Sequence, residues 1–204
     1  MNRRRRRSAT SAPLDRRSVV AAILAARGDA LVITGLGAPS WDAAAAGDHP
    51  GTFYLWGGMG GAAVMGLGLA LARPRRRVLV VTGDGEMLMG LGALATIGVQ
   101  APRNLAIVVI DNEHYGETGM QASHTGRGVE LAGVAAAAGI ADSLTLRTRE
   151  ALDGWIPRAY RDRGPLFAVV KVGSARAPLV LPPRDGTYLK HRFREHVLGA
   201  HARV

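Results

Sequence analysis

The hydrophobic pattern of this chain alternates between short, continuously apolar runs and longer segments whose apolar residues recur at helical spacing. The short runs predict strands at residues 30–34, 53–56, 77–82, 104–110, 143–146 and 165–172. The longer segments predict helices at residues 15–27, 40–46 (capped by Ser40), 61–72, 86–98, 129–138 and 149–162, and a last helix from Tyr188. Strands and helices that alternate through short connections predict an α/β fold with a doubly wound, mostly parallel sheet and helices on both faces.

A length of 204 residues suits one domain of this kind. We predict a flexible basic tail at residues 1–14, the folded domain at 15–175, and a C-terminal extension at 176–204 that packs on the domain or on a partner. The formal net charge is +10, and the first 17 residues hold +6 of it, from seven arginines and Asp15. The arginine run predicts a solvated tail rather than a nucleic-acid-binding arm, because no aromatic residue interrupts it.

The amino-acid composition excludes several kinds of functional site. The chain has no cysteine, which excludes disulfides, thiolate metal sites and cysteine nucleophiles and fits a cytoplasmic protein. No run of eighteen apolar residues occurs, so we expect no membrane span. Arg16-Arg17 and the apolar residues after them resemble a twin-arginine signal, but we favour an amphipathic helix because the stretch runs into a strand without a clear cleavage site.

Glycine-rich or polar loops follow predicted strands at residues 57–61, 83–86 and 111–124. In a doubly wound sheet the ligand lies beyond the carboxyl ends of the strands, so these loops are the candidate site. The turn at 83–86 opens a helix, whose free N–H groups suit a diphosphate. Asp84 would repel that diphosphate unless a divalent cation lay between them, and Mg²⁺ accepts such mixed oxygen ligands.

Asn112 offers a second oxygen ligand from the neighbouring strand. It ends the next buried strand after Asp84, so both side chains should project from adjacent strand ends. A carboxylate, an amide oxygen and a main-chain carbonyl soon after Asn112 form an oxygen set for Mg²⁺. Taken by itself, Asp111-Asn112 could equally well do no more than close the loop.

These residues together resemble the signature of thiamine-diphosphate (ThDP) dependent enzymes, in which Gly-Asp-Gly is followed after about 25–30 residues by a pair of asparagines. The resemblance implies ThDP and Mg²⁺ as cofactors, with Asp84 and Asn112 as side-chain ligands of the metal and His114 as a main-chain ligand. Asp111 departs from the signature, since asparagine is usual at that position. The cofactor-binding residues implied by the resemblance are Gly57, Gly58, Met59, Gly83, Asp84, Gly85, Glu86, Asn112, His114, Tyr115 and Gly116.

The segment Trp56-Gly-Gly-Met-Gly60 resembles the part of 2-oxo acid decarboxylases that supports the two rings of the cofactor. By that resemblance Met59 props the cofactor into its bent shape, and the Gly57 carbonyl accepts a hydrogen bond from its amino group. Tyr115 is expected to pack on the edge of the cofactor. The protein then positions the cofactor, and the cofactor supplies the electron sink.

Three segments point, within the family, to the diphosphate-binding subunit of sulfopyruvate decarboxylase and the matching half of phosphonopyruvate decarboxylase. They are residues 53–60, 111–116 and 117–125. The resemblance implies a small 2-oxo acid as substrate, with Glu117 and His124 as candidate catalytic residues. Glu117 stands where these relatives often have serine, and an acid there disfavours a sulfonate or phosphonate. Glu86 stands where many relatives have a small residue, so we expect its side chain to turn away and only its N–H to reach the diphosphate.

The family builds its active site between two types of domain, and this chain has room for one of them. The resemblance therefore implies a partner, a pyrimidine-binding (alpha) subunit that carries the activating glutamate, in an α₂β₂-type hetero-oligomer. We expect the small apolar residues near 57–70 to form the interface.

Other functions stay open at this point. One is ThDP-dependent carboligation, as in acetolactate synthase, or one half of a split transketolase. Another is a non-catalytic ThDP-binding or regulatory subunit. A dinucleotide-binding domain is disfavoured, although residues 58–63 fit its glycine fingerprint, because Arg75–Arg77 stand where an acid should hold the ribose.

Overall fold

A six-stranded, wholly parallel sheet forms the centre of the computed structural model, which describes residues 12–203. All residues of two of its strands are buried, in agreement with their continuous apolar runs. The strands, in chain order, are β1 (Leu31–Thr34), β2 (Thr52–Tyr54), β3 (Val78–Gly83), β4 (Leu105–Asp111), β5 (His114–Tyr115), β6 (Gln121–Ala122), β7 (Asp142–Leu146) and β8 (Leu166–Lys171). The order in the main sheet is β2-β1-β3-β4-β8-β7, and β5 and β6 form a separate antiparallel hairpin.

Helices cover both faces of the sheet, and a hydrophobic core fills the space on each side. The helices are α1 (Arg16–Ala25), α2 (Ala38–Ala45), α3 (Ala62–Ala72), α4 (Asp84–Met89), α5 (Ala93–Gln100), α6 (Leu131–Ala137), α7 (Arg149–Arg161) and α8 (Gly186–Leu198). Successive residues of a strand face opposite cores: Val80 lies in the core that α3 to α6 cover, whereas Val81 lies in the core that α1 and α7 cover. The predicted doubly wound α/β fold is therefore confirmed.

Two local predictions were wrong. The single helix predicted at residues 86–98 is two helices: α4 ends at Met89, and its C-cap Gly90 lies against the main chain of Gly60 too closely for any side chain. Ser40 does not cap α2, which begins two residues earlier at Ala38. Ser40 lies buried inside the helix and its hydroxyl donates to the Gly35 carbonyl at 2.7 Å.

The two ends of the chain differ in what the structure describes. Residues 1–11 of the predicted tail lie outside the described residues. Leu14, which the predicted tail also included, is half-buried and forms a parallel bridge with Val172. The extension after β8 contacts the domain: the Trp56 indole donates to the Pro183 carbonyl at 2.7 Å. Within residues 12–203 no helix is both long and apolar enough to cross a membrane.

Candidate functional site

The candidate loops meet where the strand order of the sheet reverses. The chain passes from β1 to β2 on one side and from β3 to β4 on the other, so the loops after β1 and β3 diverge and leave a crevice between them. The resulting cleft holds about 580 Å³, part of it open to solvent. Of the predicted site residues, those that line it are Met59, Gly83, Asp84, Gly85, Glu86, Asn112, His114, Tyr115, Gly116 and Glu117.

Asp84 begins α4 at the bottom of the cleft and is only 2% exposed. The Ser123 hydroxyl donates to its Oδ2 at 2.5 Å, and the Thr125 hydroxyl lies 3.3 Å from the same oxygen. Burial, with the nearby Asp111 as a smaller cause, raises the pKa of Asp84 above its ordinary value. Both hydroxyls lie on Oδ2, so neither of them occupies Oδ1.

Asp111 extends this network behind Asp84. Its Oδ1 accepts hydrogen bonds from the Thr125 hydroxyl at 2.8 Å and from the Glu113 N–H at 3.0 Å. Its Oδ2 lies 2.8 Å from the Lys171 ammonium, which also contacts Glu113 at 2.8 Å. The register of β4 and β8 places Asp111 and Lys171 opposite each other. A nearby cation therefore compensates the carboxylate that stands where the family signature has asparagine.

Asn112, His114 and Tyr115 shape the opposite wall of the cleft. The Asn112 side-chain oxygen accepts the His114 N–H at 3.0 Å, which makes a tight turn at the end of β4. The Tyr115 ring covers Gly85, where an added Cβ would lie 2.6 Å from the ring. An added Cβ at Gly83 would meet only the Pro39 ring, at 3.8 Å. Gly85 therefore makes room for Tyr115, whereas packing around Gly83 does not demand a glycine.

The two candidate catalytic residues lie in different surroundings. Glu117 is exposed on the cleft wall, where its carboxylate accepts a hydrogen bond from the Trp41 indole at 3.2 Å. His124 is exposed in a short 3-10 helix, and its ring nitrogen lies 3.1 Å from the Tyr115 hydroxyl. His124 is not among the residues that line the cleft. A catalytic role for either residue stays a prediction.

Gly57 and Gly58 are exposed at the open side of the site, beyond the residues that line the cleft. An added Cβ at either position would meet no described atom within 4 Å. The Glu86 side chain is buried and accepts hydrogen bonds from the Thr82 hydroxyl and from the Ala62 N–H at the start of α3. That only its main-chain N–H reaches the diphosphate stays a prediction.

The donors that line the cleft fit a hard divalent cation. A carboxylate from Asp84, an amide oxygen from Asn112 and the His114 carbonyl are oxygen ligands of the kind that Mg²⁺ prefers. Such a set contains a single acidic side chain. It is consistent with the finding that, in the described part of the chain, no cluster of three or more His, Asp or Glu side chains could hold a metal.

Sequence reasoning missed three residues that support the site, which are Ser123, Thr125 and Lys171. The first two belong to a segment that carries the family resemblance, yet nothing in the pattern indicated that their hydroxyls reach Asp84. Lys171 ends the last strand, 60 residues after Asp111, and only the pairing of β4 with β8 brings them together.

Comparisons with known proteins show the family to which this chain is similar. A family model described as "Thiamine pyrophosphate enzyme, C-terminal TPP binding domain" matches residues 40–170. The sulfopyruvate decarboxylase subunit beta of Methanothermobacter thermautotrophicus is 38% identical over 192 residues, which cover 92% of this chain and 97% of that protein. The phosphonopyruvate decarboxylase of Streptomyces viridochromogenes is 46% identical over 111 residues, which cover 54% of this chain and 28% of that protein.

A solved structure shows the same fold. The chain is similar to the thiamine diphosphate-dependent 4-hydroxybenzoylformate decarboxylase of Rhodococcus jostii RHA1, with a TM-score of 0.65 and 18% identity. The match covers 87% of this chain and 36% of that one, so the chain spans little more than a third of the larger enzyme. At this level of identity the likeness concerns the fold alone.

Proposed function

This chain belongs to the thiamine-diphosphate-dependent enzymes, and from that premise we propose that it is the diphosphate- and Mg²⁺-binding subunit of a decarboxylase. Its substrate would be a small 2-oxo acid of the sulfopyruvate or phosphonopyruvate type. The observation that carries the proposal is that Asp84, Asn112 and His114 line one cleft at the switch point of the sheet. The names of the two decarboxylases to which the chain is similar support the choice of reaction.

Different residues of the cleft would bind different parts of the cofactor. The Asp84 carboxylate, the Asn112 amide oxygen and the His114 carbonyl would hold Mg²⁺, which would offset the charge of the diphosphate. Met59 would support the bent form of the cofactor, and the Gly57 carbonyl would accept a hydrogen bond from its amino group. When bound, ThDP supplies the electron sink that decarboxylation of a 2-oxo acid requires.

A partner subunit would complete the site. In the family the glutamate that activates the pyrimidine comes from a second type of domain, and the relative from Methanothermobacter thermautotrophicus is itself named a beta subunit. We expect an α₂β₂-type assembly in which the partner covers the exposed segment at 57–58 and the outer face of α3. That face carries Val64 and Leu71, which are 47% and 49% exposed.

One observation favours a second candidate function. Glu117 lines the cleft, and an acidic side chain near the substrate repels a sulfonate or phosphonate. A 2-oxo acid without an anionic tail would avoid this repulsion, whether it is only decarboxylated or whether, after loss of CO₂, its acyl group is transferred to an aldehyde as in a carboligase. Analysis of the products formed from such a 2-oxo acid, with and without an acceptor aldehyde, separates the two functions.

Calorimetric titration of ThDP tests the cofactor site directly. The chain, alone and mixed with its partner subunit, is titrated in Mg²⁺ and in EDTA, and the titrations are repeated with Asp84→Ala. The proposal expects binding that requires Mg²⁺ and that is lost in the variant. Equal binding in EDTA, or in Asp84→Ala, would contradict the assignment of the metal ligands.

A further inference from the structure

The buried carboxylate of Glu86 takes part in none of the cofactor or metal contacts proposed above. The side chain is 3% exposed and lies between three loops. Its Oε2 accepts the Thr82 hydroxyl at 2.8 Å, and its Oε1 accepts the Ala62 N–H at 3.3 Å. The main-chain N–H groups of Leu36 and Gly60 also donate toward it. One side chain therefore joins the loop after β1, the start of α3 and the end of β3.

All three of these loops contribute to the wall of the cleft. Leu36 comes from the loop after β1, Met59 from the loop before α3, and Gly83 and Asp84 from the turn after β3. The first two loops hold no ion pair with the third in the described structure, and Glu86 supplies hydrogen bonds to both. Its carboxylate thus links the Met59 loop to the helix that follows the Asp84 turn.

The fit around this carboxylate is tight. An added Cβ at Gly35 would lie 1.6 Å from Glu86 Oε2, so no residue larger than glycine is compatible with this position of the side chain. The end of α4, the helix that carries Glu86, contacts the Met59 loop at a second point, because an added Cβ at Gly90 would lie 2.2 Å from the Gly60 carbonyl oxygen. Gly60 also has a φ of +90°, which favours glycine.

We propose that Glu86 is a positioning residue that fixes the Met59 loop relative to the Asp84 turn, so that the ring end and the diphosphate end of ThDP are held at the correct separation. This inference rests on the function proposed above. Truncation of Glu86 leaves N–H groups of two loops without their acceptor, and the Met59 loop loses its fixed place. Asp84 itself keeps its hydrogen bonds to Ser123 and Thr125, so the metal and diphosphate end is preserved.

The test compares two probes that share the diphosphate end, ThDP and pyrophosphate, each with Mg²⁺ and with the partner subunit present. Glu86→Ala should weaken ThDP binding about tenfold and change pyrophosphate binding less than about twofold. Gly35→Ala should have the same effect, because its Cβ displaces the carboxylate. In the double variant the two losses should not add, since the closest remaining contact is the Thr82 hydroxyl at 2.9 Å, which is then free to rotate.

Gly154→Ala is the matched control, because Gly154 is exposed in α7 and an added Cβ there meets no described atom within 4 Å. If Glu86→Ala does not fold, Glu86→Gln replaces it, because this variant keeps the side-chain volume but turns an N–H₂ group toward N–H donors. Glu86→Gln should also bind ThDP more weakly while its affinity for pyrophosphate is unchanged. Unchanged ThDP binding, an equal loss for both probes, or additive losses in the double variant would overturn the inference. Failure of the unaltered protein to bind ThDP would instead overturn the proposed function.

Discussion

Lys171→Met removes the cation beside a carboxylate that is only 1% exposed, that of Asp111. Breaking a buried ion pair by removing one partner costs about 3–5 kcal/mol, because the other charge stays buried. Asp111 keeps its hydrogen bonds from Thr125 and Glu113, so we expect the lower end, about 3 kcal/mol. In a chain of this size the loss corresponds to a fall in melting temperature of about 6–12 °C.

The double variant Asp111→Asn/Lys171→Met should recover most of this stability. Both hydrogen bonds to Asp111 go to Oδ1, which an asparagine retains, and neither substituted position then carries a charge. The free energy of unfolding is measured by denaturant titration in EDTA, with Lys190→Met at the exposed second lysine as the control. A loss below about 1 kcal/mol in Lys171→Met, or a double variant no more stable than that single variant, would refute the charge-compensation argument.

The same ion pair has a defined dependence on pH. Burial by itself lowers the pKa of Lys171, but the Asp111 and Glu113 carboxylates outweigh it and raise that pKa above the ordinary 10.5. A raised pKa in the folded state means that the pair contributes fully below pH 10.5 and that its contribution is lost as the pH rises through the folded-state value.

Three further predictions concern the cleft. Because burial raises the pKa of Asp84, Mn²⁺ bound in place of Mg²⁺ should bind more weakly on acidification already above the ordinary carboxylate value of 3.8. Electron paramagnetic resonance measures this binding, and constant affinity down to pH 4 would contradict the prediction. Gly85→Ala should displace the Tyr115 ring and weaken ThDP binding about tenfold in calorimetry, and Gly85→Ala/Tyr115→Ala should bind better than the single variant. Glu117→Gln should lower the KM for sulfopyruvate at least about threefold, because it removes a negative charge from the cleft wall; an unchanged KM would mean that the acidic tail lies elsewhere.

The sheet could be predicted from the sequence because its strongest signals are local. The apolar runs that became β3 and β4 are uninterrupted, and each ends in a polar residue that marks the carboxyl end of the strand. The break between α4 and α5 could not be predicted in this way. Apolar residues continue at helical spacing from Met87 to Leu94, and the helix ends because Gly90 meets Gly60, 30 residues earlier in the chain.

In the candidate site, too, some positions could be predicted from the sequence, whereas others depend on tertiary packing. The placement of Asp84 and Asn112 in one cleft could be predicted because the topology of parallel strands brings consecutive strand ends together. The orientation of Glu86 was expected from its charge, but its partners at residues 36 and 62 belong to loops whose approach depends on tertiary packing. Lys171 could not be assigned to Asp111 without knowing that β8 lies beside β4 rather than at the edge of the sheet.

The position of β8 has a consequence for how the protein is made. It follows the other described strands in chain order, yet it lies between β4 and β7, and β7 has no other neighbour in the described sheet. Until residues 166–171 emerge, β7 cannot pair and the apolar edge of β4 stays open, which favours association with other chains. Asp111 likewise has no compensating cation until Lys171 has been synthesised. A nascent chain stalled before residue 171 would therefore lack the cation that compensates Asp111 behind the proposed metal site.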